Sequence, residues 1–83
     1  MIFTNDINVE LLNKYFYFKE EVIMNKYDTY NNTCIIKNNV DINIDDILKF
    51  NSFATGKLEY FRIMKIDNSN KFKGYKELYF KII

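Results

Sequence analysis

Eighty-three residues allow one domain (1–83) with one small core, and the 48% apolar and 18% aromatic content supplies that core and argues against disorder. With no histidine and a single cysteine, the chain lacks the usual general bases, an internal disulfide and the common transition-metal ligand sets, so no cofactor is expected. A net charge of +1 marks neither a nucleic-acid binder nor a mimic; with no apolar run near the roughly 18 residues of a membrane span and no basic leader before one, a cytoplasmic protein is expected.

Met1 to Thr4 is a candidate short strand, and Asn5 or Asp6 is a side chain that caps a helix. The spacing of Ile7, Leu11, Tyr15, Phe18 and Val22 then predicts a helix from about Asp6 into the twenties, with Leu12, Phe16 and Ile23 widening its stripe. Its weak place is Tyr15-Phe16-Tyr17-Phe18, which has strand propensity. Asn25 to Asn32 is polar and reads as a connecting loop.

The stretch from Asn32 to Phe50 is expected to organise the rest, as two strand-like runs separated by a compact polar turn at Asn38-Asn39. In the first run Cys34 and Ile36 alternate with Thr33, Ile35 and Lys37. In the second, Ile47 to Asn51, Leu48 and Phe50 oppose Ile47 and Lys49. The two are expected to adjoin in a curled sheet, with Cys34 a buried, inert thiol. Ser52 to Gly56 makes a turn, and Lys57 to Ile66 is the longest strand candidate, apolar on both faces and therefore central. Asp67 to Asn70 is a turn cluster and Lys71 to Lys76 a loop. The last strand, Glu77 to Ile83, turns Leu78, Phe80 and Ile82 inward. The fold class expected is α+β: a small curled sheet or partial barrel of about five strands with one N-terminal helix packed across it.

The strand Thr33 to Lys37, the polar turn and the segment Asp45-Asp46-Ile47-Leu48 together resemble the ASCH branch of the PUA-like superfamily, including its short phage and prophage members. Thr55-Gly56-Lys57, Ile63-Met64-Lys65-Ile66 and Gly74-Tyr75 continue the resemblance, although Asp45 stands where those domains have glycine. It implies a nucleic-acid-accommodating cleft beside this segment. Some such domains are amidohydrolases on acetylated cytidine that use a lysine and a threonine of a K-T-x-T-x-R segment. With Lys37 at the arginine, Asn32 and Ile35 fall at those two positions, so that activity does not carry over, while Thr33 and Lys37 persist.

Charge is divided along the chain: residues 1–46 carry four lysines against eight acids, and residues 47–83 carry eight basic residues against three acids. The basic half offers a candidate nucleic-acid surface: Lys57, Arg62, Lys65, Lys71, Phe72, Lys73, Tyr75 and Lys76, with lysines for phosphates and aromatics for unpaired bases. A second candidate surface is Tyr15, Tyr17, Tyr27 and Tyr30, large amphipathic side chains favoured at protein interfaces. Asp41 to Asp46 alternates acids as a calcium loop does but lacks its glycine and closing glutamate. Glu20-Glu21 and Asp45-Asp46 are expected to be solvated surface rather than an acid/base pair.

Twelve Asn, twelve Ile and eleven Lys fit an AT-rich coding source, meaning a low-GC bacterium, its phage or another mobile element. The expectation is a small non-catalytic module engaging RNA or other nucleic acid. The alternatives are a phage-encoded inhibitor that binds a host protein or ribonucleoprotein such as a defence nuclease and, third, a small amidohydrolase on modified nucleosides.

Overall fold

In the computed structural model, which describes residues 1–69 and 71–83, the chain is all β and the expected N-terminal helix is absent. Asn70, the last residue of the turn cluster expected after Ile66, lies outside the described residues. The described strands are β1 (Ile2–Phe3), β2 (Ile7–Leu12), β3 (Phe18–Asp28), β4 (Thr33–Lys37), β5 (Ile47–Asn51), β6 (Leu58–Asp67) and β7 (Tyr75–Ile82). All pairings are antiparallel, in the order β1-β3-β2-β5-β6-β7-β4, and a further β3–β4 pairing closes six of the strands into a barrel. The α+β expectation is therefore corrected to an antiparallel β-barrel.

The residues expected to be helical form β2, a five-residue loop and the first half of β3. Ile7 and Leu11 are four apart, a separation that also suits alternate residues of a strand, and with Val9 they turn to the core side of β2. Across the hairpin, Val22 and Met24 do the same from β3, while Tyr15 to Phe18 are all exposed. β3 also continues through much of the expected loop to Asp28, whose carboxylate caps the following turn by accepting from the amides of Tyr30 (2.9 Å) and Asn31 (3.4 Å).

β4 and β5 do not adjoin. β4 lies between β3 and β7, and β5 between β2 and β6, so the two stand on opposite walls of the barrel. The segment between them, residues 38–46, crosses one end and buries Ile42 and part of Val40 against the core. Two lysines hold it. Lys76, 9% exposed, donates from its ammonium to the carbonyls of Val40 (2.6 Å) and Asn38 (3.4 Å). Lys19 reaches the Asp41 carbonyl (2.9 Å) and the buried Asp46 carboxylate (3.0 Å), which also accepts from the Asn43 amide. Asp45 and both Glu20 and Glu21 are exposed as expected, whereas Asp46 is a buried ion-pair partner rather than solvated surface.

Losing the Lys76 ammonium strands two acceptors at a closed barrel end. Lys76→Met is expected to cost about 1–3 kcal/mol, the range for a charged hydrogen-bond donor whose partners are left unmet, read as a fall in the denaturant midpoint without a change of slope.

The interior holds a four-ring cluster. Phe50 stacks on Phe61 at 4.5 Å, and both meet Phe80 edge-on, at 6.2 and 5.5 Å. Tyr27 packs edge-on against Phe50 at 5.4 Å. Cys34 is buried as expected; burial, and then the Glu77 charge, push its thiol far above the ordinary cysteine range. β6 presents Phe61 and Ile63 inward, then a bulge between Ile63 and Lys65 shifts the phase so that Ile66 joins the core and Met64 is left outside. Leu78 and Phe80 face inward as expected, but Ile82, which pairs with Phe61, is 48% exposed and lies beyond Tyr79, the last β7 residue that β4 pairs.

Candidate functional site

Two surfaces carry chemistry, and each draws on residues from both halves of the chain. The first is the tip of the β2–β3 hairpin. Asn13 builds it: its amide donates to the Tyr17 carbonyl (2.8 Å), its carbonyl accepts from the Phe16 amide (2.9 Å), and its Oδ1 accepts from the amides of Tyr15 (2.8 Å) and Tyr17 (3.1 Å). An asparagine side chain closing a turn in this way fixes the loop before any partner arrives. The loop and the first residue of β3 then display Tyr15 at 67%, Phe16 at 48%, Tyr17 at 70% and Phe18 at 59% exposure. Phe16 has φ of +69°, a left-handed conformation that glycine would adopt freely and that costs a side-chain-bearing residue about 1–2 kcal/mol. Its ring rests edge-on against Tyr60 at 5.4 Å.

Basic residues lie on the outer face of the strands on which Phe16 rests. On the outer face Tyr60 stands opposite Lys49, which pairs with Glu10 at 3.7 Å, and Arg62 stands directly opposite Lys81. Like charges facing each other across a ladder are destabilising. Among the described residues neither Arg62 nor Lys81 has an ion-pair partner. Farther along, the Lys65 ammonium lies 4.9 Å from the Tyr79 ring, whose hydroxyl donates to Glu77 at 2.8 Å.

The second surface is a cleft of about 750 Å³ where β3 and β4 part. Its lining includes Val22, Ile36 and Val40, with Lys26, Lys37, Lys71 and Lys73 among the polar residues and Asp6 and Glu21 as the acids. Phe72 and Tyr75 also line it, with the ammonium groups of Lys26 and Lys71 at 5.3 and 5.4 Å from the Phe72 ring.

The expected basic surface is thus divided. Lys71, Phe72, Lys73 and Tyr75 line the cleft; Arg62 and Lys65 lie on the outer face of β6; Lys57 is exposed at the β5–β6 turn; and Lys76 is buried and held by carbonyls. The expected tyrosine surface divides too. Tyr15 and Tyr17 share the hairpin tip, Tyr30, 85% exposed, sits beyond the opposite end of β3, and Tyr27 is in the core, where burial raises its pKa. Lys26, Lys49, Lys81 and Tyr60 were not singled out from the sequence; the first fell in an expected loop, and the others become neighbours only through strand register. Among the described residues no three His, Cys, Asp or Glu side chains converge, and no helix is long and apolar enough to cross a membrane.

The arrangement defines a small antiparallel barrel with an aromatic tip and a basic cleft. Comparison of the chain with protein-family models, curated proteins and solved structures finds no match.

Proposed function

We propose that this chain is a non-catalytic docking module that binds a partner protein through the β2–β3 hairpin tip. The carrying observation is the run Tyr15 to Phe18, four consecutive exposed aromatics on a loop fixed by Asn13 and containing a strained Phe16. Exposed apolar side chains on a backbone fixed in this way mark interaction sites, because a partner pocket recovers their hydration cost without the penalty of ordering the loop. Tyr beside Arg is also the composition of interface hot spots. Lys14 within the loop and Arg62, two residues along β6 from the Tyr60 that Phe16 touches, favour an apolar pocket with an acidic rim.

A second reading, engagement of RNA or other nucleic acid, is favoured by one observation: the cleft gathers Lys26, Lys37, Lys71 and Lys73 beside Phe72 and Tyr75. Ile35, Ile36 and Lys37 of β4 form one wall of that cleft. One experiment separates them. Tagged wild-type protein and Tyr15→Ser/Tyr17→Ser are compared in cross-linking pull-downs, with single-stranded RNA binding followed by anisotropy. A protein cross-linked at the tip by wild type and lost by the variant is the expected outcome. RNA binding that weakens steeply with salt and falls on Lys73→Glu, with no tip-dependent cross-link, would establish the second reading instead.

A further inference from the structure

We infer that the open seam between β3 and β4 is a strand-addition site for an extended, acidic segment of a partner protein, separate from the hairpin tip. β3 is paired along one edge by β2 from Phe18 to Met24 and by β1 at Tyr27 and Asp28. On its other edge β4 pairs only between Asn25 and Asp28, opposite Ile35 and Thr33, with an irregularity between the two pairs. Lys26, inside that irregularity, has φ of +50°. A bulge of this kind bends and twists its strand, which accounts for the divergence of the rest of β3 from β4. From Phe18 to Met24 the second edge of β3 has no strand partner among the described residues, and Ile36 and Lys37 of β4 pair only with β7. At the far end Lys19 is tied to the crossover, so the open stretch is Glu20 to Met24.

A row of unpaired backbone donors and acceptors is a template for another strand. The cleft lies along this row, and its volume is within the roughly 300–1,000 Å³ usual for binding clefts. Charge selects the occupant. Four lysines, Lys26, Lys37, Lys71 and Lys73, outnumber the two acids, Asp6 and Glu21. An incoming strand that alternates apolar and acidic residues would set one row inward against Val22, Ile36 and Val40, and the other outward on the face that carries Lys37.

The test pans a random dodecapeptide library against the intact protein and maps the synthetic winners by amide shift changes. Expected are peptides alternating acidic and apolar residues that perturb Glu20 to Met24 and Ile36 to Lys37. N-methylation of alternate peptide nitrogens should weaken them about tenfold or more, since it removes the ladder bonds. Lys37→Glu/Lys73→Glu should weaken them about tenfold through the lost charge complementarity. Tyr15→Ser/Tyr17→Ser should leave them unchanged, which keeps this site distinct from the tip. Failure to recover seam-binding peptides, winners indifferent to N-methylation, or single-stranded RNA occupying the cleft while peptides fail to compete would each overturn the inference.

Discussion

Phe61→Ala is expected to remove at least about a quarter of the barrel's stability. Phe61 is 2% exposed, stacked on Phe50 at 4.5 Å and edge-on to Phe80 at 5.5 Å, so its removal opens a void bordered by two other rings. Deleting a buried phenylalanine costs about 3–5 kcal/mol, whereas a domain of this length has in total about 4–12 kcal/mol at roughly 0.05–0.15 kcal/mol per residue. The control is Leu58→Ala on the same strand. Leu58 is 52% exposed, and its truncation should change stability by no more than about 0.5 kcal/mol. Denaturant unfolding of the two variants measures the inside and outside of β6 directly; a larger loss at Leu58 than at Phe61 would mean that the strand's faces are reversed.

The second large effect falls on binding. Tyr15→Ser/Tyr17→Ser should reduce affinity for the tip's partner by about a hundredfold or more, as removal of paired aromatic hot spots does, while the thermal midpoint stays unchanged. Both rings are about two-thirds exposed and neither joins the buried core cluster, so the fold has little to lose. The backbone clamp is also retained, because the Asn13 side chain accepts from the amides of these residues and not from their rings. Isothermal titration with the recovered partner gives the affinity, and a thermal melt gives the control. Equal affinity for variant and wild type would remove the tip from the site.

The C-terminal strands were legible because one face of each is apolar at a period of two. The expected second run, Ile47 to Asn51, coincides with β5, and the expected strands at Lys57 to Ile66 and Glu77 to Ile83 overlap β6 and β7 closely. The N-terminal quarter was not legible, for a reason connected with function. Tyr15 and Phe18 completed a helical stripe in the sequence, yet they are solvent-facing residues of a hairpin tip and contribute nothing to burial. Apolar side chains kept for a partner carry the same signal as apolar side chains kept for the core. Asn13, which closes the turn, lies outside that stripe.

The crossover misled in another way. Asn38-Asn39 has the composition of a tight turn between neighbouring strands, and consecutive strands usually adjoin. Here the chain instead spans the barrel end, and the groups that hold it there, Lys76 and the Lys19–Asp46 pair, come from distant sequence positions. The basic cleft was half visible. Lys71, Phe72, Lys73 and Tyr75 are consecutive enough to be noticed, but Lys26 and Lys37 join them only after β3 bends at its bulge.

Residue-resolved amide hydrogen exchange of the free protein tests most directly whether β3 is a strand with one open edge. Through Glu20 to Met24, alternate amides should be protected by pairing with β2 while those between them exchange quickly, and protection should rise at Tyr27 and Asp28, where β1 and β4 flank the strand. Continuous protection across Glu20 to Met24, or helical chemical shifts from Asp6 to Val22, would contradict the account.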